Sequence, residues 1–455
     1  GLFLPYTPIH HLLFDAGKFS ALVMTSANLS EEPIVIDNSE AVRRLQGISD
    51  FFLVHNRDIL IRKDDSVIRA SSGRMRQMRR SRGYVPMPVF LHKEVPTILA
   101  VGGELKNTIC FTRDKQAFLS QHIGDLENLE SHNFFEETVA HMRRVLELDP
   151  EALACDLHPD YFSARWAQQQ SLPVVKVQHH HAHIASCMAE NHLDQRVIGI
   201  ALDGTGYGTD RHIWGSEVLL ADYSGFERVA HLDYVALPGV EAAIHEPWRI
   251  AVSYLCKHFG RDHLDLELPF LKQLDRAKLD VIVQMLAKRI NSPLSCGCGR
   301  LFDGVAALLG VRSEISYEGQ AAIELEMLMD EADDESSYPF ARRTEHGKTV
   351  LSTRPLFQAI ITDLRASVPV SVISRRFHNG LVDAFVGVAR DVRVRTGINQ
   401  VCLSGGCFQN DYLLRRMEAI LSAARFEVFT QAQVPAGDGG LSLGQALIAA
   451  AQVKR

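Results

Sequence analysis

Short apolar runs alternate with longer amphipathic stretches along most of this chain. The runs Ile98–Val101, Val197–Leu202 and Val401–Ser404 contain four to six residues, which is the length of a buried strand. An amphipathic stretch from about residue 133 to 148 has the spacing of a helix. Strands and helices in this arrangement predict an α/β fold with mixed sheets.

The first 92 residues are predicted to form a domain of their own. They hold three runs typical of strands and one typical of a helix, namely Ala21–Thr25, Phe51–His55, Ser66–Arg69 and Ser39–Leu45. Prolines 86, 88 and 96 indicate a linker after them. The chain starts at Gly1 in strand-like and turn-like sequence, so we expect it to begin inside a domain.

Four histidines occupy positions 179, 180, 181 and 183, directly after a strand-like stretch. The segment up to Glu190 is typical of a helix, on which His179 and His183 share one face because they are four residues apart. Two such rings form a clamp for one divalent metal ion. His180 and His181 point elsewhere, so we expect them to support the site or to face a substrate. The alternative is an incidental surface tract.

Three strands end in glycine-rich turns, at Gly102–Thr108, Asp203–Gly206 and Ser404–Asn410. Glycine permits a tight turn and a close approach of the backbone, so that N–H groups face phosphate oxygens. None of the three has the Walker A or the Rossmann arrangement. Each turn alone is also typical of a plain structural turn, but together with the metal clamp they favour a metal-dependent nucleotide enzyme.

Composition narrows the class of protein. The chain has 455 residues, 46% of them hydrophobic and 23% charged, with a formal net charge of −7. This acidic balance disfavours nucleic-acid binding. The absence of a long apolar run excludes a membrane-spanning helix, and eight cysteines without a Cys-x-x-Cys pair indicate reduced thiols in a cytoplasmic protein. The segment Arg74–Arg82 holds five arginines, which predicts an anion cradle, with a solvated basic strand as the alternative.

Several motifs, in this order, resemble a known family. They are His179–His183, Asp203–Gly206, Leu301–Gly310, Ser404–Asn410 and Ala436–Gly440. Their order resembles that of the TsaD-like branch of the actin/hexokinase/Hsp70 (ASKHA) ATPase fold. With Gly102–Thr108 added, the chain resembles the HypF-type carbamoyltransferases of hydrogenase maturation. The segments Thr25–Pro33, Arg62–Val67 and Arg79–Tyr84 resemble the YrdC-like domain of that family.

The resemblance implies a domain arrangement. Residues 1–92 would be the C-terminal part of a YrdC-like α/β domain. Residues 93–455 would be a two-lobed TsaD-like domain of the ASKHA type, with lobes at about 93–195 and 196–455. The acylphosphatase-like and zinc-finger regions of the family have no counterpart here, so we expect weak or no activity in the full reaction.

The resemblance also implies roles for individual residues. His179, His183 and Asp438 would bind the metal, either Fe²⁺ or Zn²⁺. Lys106, Asp203 and His180 are the catalytic candidates. The residues implied for binding nucleotide are Ser26, Asn28, Ser66, Arg80 and Arg82 in the first module, and Asp203, Gly204, Thr205, Gly206, Asp303, Gly319, Gly405, Gly406 and Asn410 in the second.

Finally, the resemblance implies a reaction. Carbamate derived from carbamoyl phosphate would react with ATP, accompanied by Mg²⁺, to give carbamoyl adenylate. The carbamoyl group would then pass to the C-terminal cysteine of a HypE-like acceptor protein, for the cyanide ligands of [NiFe] hydrogenases. An O-carbamoyltransferase acting on a sugar hydroxyl is the alternative. Neither a nucleic acid nor a membrane is expected as a partner.

Overall fold

The computed structural model describes residues 1–30, 32–261, 268–329 and 335–453. The chain divides into two compact units, Gly1–Asp64 and Asp65–Arg455. Glu31, which belongs to the Thr25–Pro33 motif, lies outside the described residues. The predicted domain boundary at residue 92 and the predicted lobe limits stay predictions.

The first unit contains the helices α1 (Pro8–Gly17) and α2 (Asn38–Leu45). The predicted helix at Ser39–Leu45 is confirmed, and Asp37 caps it by accepting a hydrogen bond from the Glu40 amide at 2.8 Å. The strands predicted at Ala21–Thr25 and Phe51–His55 are wrong, because both segments are irregular and largely exposed. A strand needs a neighbouring strand to pair with, and the described residues of this unit supply none.

The second unit holds the sheets. Its strands are β1 (Val67–Ser71), β2 (Arg74–Arg79), β3 (Val89–Val95), β4 (Ile98–Ala100), β5 (Cys110–Leu119), β6 (Ala152–Asp156), β7 (Val174–Val177), β8 (Val197–Tyr207), β9 (Ile213–Asp222), β10 (Gly225–Leu232), β11 (Val235–Ala236), β12 (Leu294–Ser295), β13 (Ala341–Glu345), β14 (Lys348–Ser352), β15 (Gln400–Ser404) and β16 (Glu427–Thr430).

The helices of the second unit are α3 (Leu129–Leu146), α4 (Phe162–Gln168), α5 (His179–Glu190), α6 (Glu241–His245), α7 (Trp248–Phe259), α8 (Pro269–Gln273), α9 (Arg276–Lys288), α10 (Cys298–Leu308), α11 (Gln320–Met327), α12 (Arg354–Arg365), α13 (Val370–Thr396), α14 (Asp411–Ala423) and α15 (Leu441–Val453). Among the described helices, none is both long and apolar enough to cross a membrane.

Two mixed sheets organise this unit. The first has five strands in the order β3-β5-β4-β6-β7, and the second has nine, with the path β13-β14-β10-β9-β8-β15-β16 and with β11 and β12 off this path. Strands β4, β6 and β7 are mutually parallel, as are β8, β15 and β16. The predicted mixed α/β architecture is confirmed. In such sheets, ligands bind beyond the carboxyl ends of parallel strands.

Helix α5 lies between the two sheets, and all twelve of its residues are buried. Ala182, Ala185 and Ala189 belong to the core of the first sheet, together with helix α15. Ile184, Cys187 and Met188 belong to a core formed with β8, β9 and β15 of the second sheet. The helix therefore packs into a core on each of two faces, and its polar residues are buried along with its apolar ones.

Helix α15 packs closely against α5. A Cβ atom placed on Gly444 would lie only 1.8 Å from the carbonyl oxygen of Ala182, so this contact requires glycine. The end of the chain thus returns to the first sheet, and it carries the turn around Asp438 back to the start of α5.

Candidate functional site

Four side chains converge at the start of α5, where the histidine run predicts a metal clamp. His179, His183, Asp203 and Asp438 each offer one ligand atom, and these atoms all lie within 4.8 Å of one another. His183 Nε2 is 2.8 Å from Asp203 Oδ2, and His179 Nε2 is 3.6 Å from the same oxygen. Asp438 Oδ1 is 3.6 Å from both Nε2 atoms.

The four candidate ligand atoms are arranged for binding a metal ion rather than for hydrogen bonding to one another. His179 Nε2, His183 Nε2 and Asp203 Oδ2 are buried, yet none has a hydrogen bond of acceptable geometry among the described residues. Buried polar atoms without partners are rare and call for an explanation. Two imidazole nitrogens and two carboxylate oxygens aimed at one point form a ligand set that suits Zn²⁺ or Fe²⁺.

The polypeptide brings these ligands together through its parallel strands. Strand β7 ends at Val177, and Gln178 caps α5 by accepting a hydrogen bond from the His181 amide at 3.0 Å. Asp203 lies in β8 beside the end of β15, where Ala201 pairs with Ser404. A Cβ atom on Gly206 would approach His180 Cε1 to 2.5 Å, so the glycine at this position lets β8 run against the histidines.

Asp156 supports the cluster from behind. This residue ends β6 and is 1% exposed, and its Oδ2 lies 2.8 Å from Nδ1 of His179. A carboxylate on the far nitrogen fixes the tautomer and orientation of a metal-binding imidazole. The sequence analysis missed Asp156, although a carboxylate at the end of an apolar strand close to the histidine run is a recognisable signal.

The turn that carries Asp438 and the segment before it are anchored to the C-terminal half of α5. Ser186 Oγ donates a hydrogen bond to the Gly440 carbonyl at 2.8 Å. Glu190, at the end of the helix, accepts hydrogen bonds from three successive backbone amides, those of residues 432, 433 and 434, at 2.7, 2.9 and 3.1 Å. Sequence reasoning missed both residues, because their partners are more than 240 positions away in the chain.

The imidazoles and carboxylates of the cluster shift one another's pKa values. Burial lowers the pKa of His179, but Asp438 and Asp156 outweigh it and hold that pKa well above its usual value. Burial raises the pKa of Asp203, but the adjacent imidazoles of His179 and His183 outweigh burial and keep this pKa well below its usual value. Without a metal, protons on the imidazoles therefore balance the carboxylates. A divalent cation would replace those protons.

His180 has a different environment from the two clamp histidines. It is fully buried, its Nδ1 lies 3.1 Å from Gln178 Nε2, and burial together with the charge of His179 lowers its pKa to about 3. The ring is held as neutral imidazole behind the clamp. His181 Nε2 lies 2.6 Å from the Asp222 carbonyl oxygen.

A cavity of about 440 Å³ adjoins the cluster. Its wall includes most of the predicted nucleotide-binding positions of the second module, namely Asp203, Gly204, Gly319, Gly406 and Asn410, together with Lys106. Thr205, Gly206, Asp303 and Gly405 are not part of this wall. Asp203 is thus both a member of the metal cluster and a wall residue of the cavity.

Lys106 reaches across the cavity to an acid. Its Nζ forms an ion pair with Glu318, which also lines the cavity. Burial lowers the pKa of Lys106, but the charges of Glu318 and Asp438 outweigh it and raise the pKa above its usual value. The lysine is therefore a fixed cation of the wall.

Asn410 has two structural partners at the cavity edge. Its Oδ1 accepts a hydrogen bond from the Leu413 amide at 2.8 Å and so caps α14. Its Nδ2 lies 3.0 Å from His378 Nε2. Gly405 has a φ of 107°, and a Cβ atom there would meet the Leu202 carbonyl oxygen at 2.2 Å, so glycine is needed for this turn.

The residues predicted to bind nucleotide in the YrdC-like part lie in both units. In the first unit, Ser26 is exposed, and Asn28 Nδ2 donates to the carbonyls of Leu29 and Glu32 at 2.8 and 2.9 Å. In the second unit, Ser66 Oγ donates to the Arg82 carbonyl at 2.9 Å and accepts from the Ser81 amide at 2.8 Å.

Several side chains of the arginine-rich segment Arg74–Arg82 form ion pairs or hydrogen bonds within the protein. Arg76 is buried and forms an ion pair with Glu418 at 2.9 Å. Arg80 is buried, donates to the carbonyls of Tyr84 and Met87, and has its pKa lowered by burial. Arg82 pairs with Asp65 at 3.0 Å. These contacts help to hold β2 and the following turn in place, and the predicted anion cradle stays a prediction.

Family models match nearly the whole chain. A model described as the HypF Kae1-like domain matches residues 93–190, and one described as the carbamoyltransferase Kae1-like domain, second subdomain, matches residues 199–445. A Sua5/YciO/YrdC model, described as telomere recombination, matches residues 1–81.

Whole-chain comparisons agree. Carbamoyltransferase HypF of Synechocystis sp. is 41% identical over 98% of this chain, which spans 59% of that relative's length. A crystal structure of full-length HypF in the phosphate- and nucleotide-bound form is 46% identical, has a TM-score of 0.94 and is matched over 99% of this chain and 70% of that one. The crystal structure of T. kodakarensis HypF is 35% identical and has a TM-score of 0.91. The match covers 99% of this chain and 60% of that one. The chain belongs to the HypF family of carbamoyltransferases.

Proposed function

We propose that this chain carries the carbamoyl-transfer site of a HypF-type enzyme of hydrogenase maturation. The observation that carries the proposal is that Asp203 belongs both to the metal cluster and to the wall of the 440 Å³ cavity. A nucleotide in this cavity would therefore lie beside the ion. The related full-length HypF crystallised with phosphate and nucleotide supports a nucleotide as the ligand.

The metal site would be formed by His179, His183 and Asp438, with Asp203 as a fourth ligand that the sequence analysis assigned to phosphate. Fe²⁺ or Zn²⁺ bound there would supply a Lewis acid that polarises the carbamoyl carbonyl. Asp156 would hold the His179 ring in place, and Glu190 and Ser186 would hold the Asp438 turn.

In the transfer step, the cavity would bind carbamoyl adenylate. The sulfur of an acceptor thiolate would attack the carbamoyl carbon, and the bond from that carbon to the phosphate oxygen would break, so that AMP leaves with the electron pair. Gly204, Gly319 and Gly406 would allow the backbone to approach the nucleotide closely. Lys106, held by Glu318, would place a positive charge near the anionic ligand. The acceptor would be the C-terminal cysteine of a HypE-like protein.

Formation of the adenylate from ATP, Mg²⁺ and carbamate belongs to the YrdC-like part. Ser26 and Asn28 would serve this step in the first unit. In the second unit, Ser66, Arg80 and Arg82 have protein partners, and their proposed part in this step is to hold their own segment in shape. Carbamate derived from carbamoyl phosphate would be the substrate.

The test is transfer from synthetic carbamoyl adenylate to a HypE-like protein, followed by mass spectrometry of its C-terminal peptide. The unaltered chain with one bound metal ion per molecule should carbamoylate the terminal cysteine. His183→Ala and Asp438→Asn should lose the metal and reduce the transfer rate by about a hundredfold or more. The matched control is Asp149→Asn, which alters a carboxylate that is 84% exposed. Undiminished transfer by the metal-free variants would contradict the proposal. Carbamoylation of a sugar hydroxyl, but not of the thiol, would support the alternative acceptor.

A further inference from the structure

Arg300 is a buried cation in the wall of the cavity. It lies in the first turn of α10 and is 7% exposed. Its Nη2 forms an ion pair with Asp303 Oδ2 at 2.8 Å, while its Nε has no hydrogen-bond partner among the described residues. A guanidinium group carries five N–H donors, and burying one with donors unsatisfied is costly. This arrangement indicates an anionic ligand.

The guanidinium faces the glycine turn of the second sheet. A Cβ atom placed on Gly204 would lie 3.7 Å from Arg300 Nη2, in ordinary contact. Gly204 directly follows Asp203, and all three residues line the same cavity. Arg300 thus stands beside the place where the metal cluster opens into the cavity.

Asp303 supports Arg300 rather than the cavity. It is 2% exposed, is not part of the cavity wall, and pairs with Arg300 one turn earlier on the same helix. The resemblance to the family implied a nucleoside contact for Asp303. In this structure its carboxylate is placed to fix the direction of the guanidinium.

The other cations of the cavity are engaged differently. Lys106 is ion-paired with Glu318, and Arg69 donates to the Gln409 carbonyl from an exposed position. Arg300 combines burial with an unsatisfied donor. Its planar fork matches the oxygens of a phosphate group.

We propose that Arg300 binds the phosphate of a nucleoside monophosphate moiety in this cavity, and that Asp303 is its positioning residue. This inference rests on the proposed function. During transfer, the bond between the carbamoyl carbon and the phosphate oxygen breaks, and the departing phosphate gains one negative charge. Arg300 would stabilise that charge. The cavity should consequently prefer nucleotide to nucleoside.

The test is calorimetric titration of the full metal-loaded chain with AMP and, separately, with adenosine. Arg300→Gln should weaken AMP binding by about ten- to a hundredfold, as expected for hydrogen bonds to a charged group, and should change adenosine binding less than about twofold. Arg300→Lys should retain part of the AMP affinity. Asp303→Asn should weaken AMP binding by less than Arg300→Gln does, again with adenosine unaffected. Arg312→Gln, which alters an arginine paired with Glu324 on α11, is the matched control.

The outcomes separate this inference from the proposed function. Equal loss of AMP and adenosine binding in folded Arg300→Gln would show a structural role and overturn the inference alone, as would unchanged AMP binding. If Arg300→Gln does not fold, the same comparison is made with Arg300→Lys and Asp303→Asn. A loss of AMP affinity without a loss of adenosine affinity in these variants supports the inference, and equal losses overturn it. Failure of the unaltered chain to bind AMP would overturn both proposals.

Discussion

Nδ1 of His179 lies 2.8 Å from Oδ2 of Asp156, and both side chains are almost completely buried. The opposite nitrogen of the same ring, Nε2, faces Asp203 and Asp438. The imidazole is therefore held from behind by one carboxylate while it presents its other nitrogen to the cluster. In the proposed metal site, Asp156 would thus fix the orientation of the His179 ring without itself contacting the ion.

Removing that support should weaken metal binding. Asp156→Asn keeps the size of the side chain but removes its charge, and we expect a loss of about 10- to 100-fold in affinity for Zn²⁺. Competition with a chromophoric chelator measures this affinity. Asp160→Asn, an exposed carboxylate close by in the chain, should leave the affinity unchanged. Equal affinities for Asp156→Asn and the unaltered protein would refute the supporting role.

Gly206 should tolerate no side chain. Alanine at this position would place its Cβ 2.5 Å from His180 Cε1 and 2.9 Å from His179 Cδ2. The rings must then shift, so we expect a loss of about 1–3 kcal/mol in the free energy of unfolding together with reduced metal content. Gly225→Ala is the control, because a Cβ atom there meets nothing within 4 Å. Denaturant unfolding and elemental analysis test both variants, and similar stability in the two would count against this packing argument.

Glu190 should matter for both stability and metal binding. Glu190→Ala leaves three backbone amides without their acceptor, and of these the Val434 amide is in a buried hydrogen bond. An unsatisfied buried group costs about 1–3 kcal/mol, so we expect a loss of that size in the free energy of unfolding, with weaker metal binding because the Asp438 turn is released. Glu227→Ala, which removes an exposed partner of Arg196, should change stability little. If Glu190→Ala binds metal as tightly as the unaltered protein in competition with a chelator, Glu190 does not support the metal site through the Asp438 turn.

Glu104 should make stability depend on pH. Burial raises its pKa from 4.5 to about 7, against the hydrogen bond that it accepts from the Phe162 amide. A carboxyl group whose pKa is higher in the folded state favours folding when protonated. Its contribution is therefore complete below about pH 4.5 and is lost as the pH rises through about 7. Glu104→Gln should remove this contribution, so the difference in melting temperature between variant and unaltered protein should change over that range. A constant difference would contradict the prediction.

Local patterns predicted the parts of the site that are close together in sequence. The spacing of His179 and His183 predicted their shared helix face, and the apolar run ending at Leu202 predicted β8. These signals depend on periodicity over a few residues, which the backbone preserves wherever the element finds a partner.

The features that the sequence did not predict depend on contacts between residues far apart in the chain. Phe51–His55 has strand-like composition but no described strand beside it, so composition alone misled. Arg76 belongs to a basic run, yet its guanidinium pairs with Glu418, 342 positions further along the chain. Glu190 meets residues more than 240 positions further along the chain, so no local pattern could reveal its role.

The double membership of Asp203 has a thermodynamic consequence. A divalent cation beside this carboxylate reduces the negative charge that the cavity wall presents to an anionic nucleotide. If the ion raises the affinity for nucleotide by some factor, nucleotide must raise the affinity for the ion by the same factor, because binding free energies are reciprocal. A filled cavity would then raise the affinity for the ion, and the protein would bind its metal most tightly while it is occupied by nucleotide.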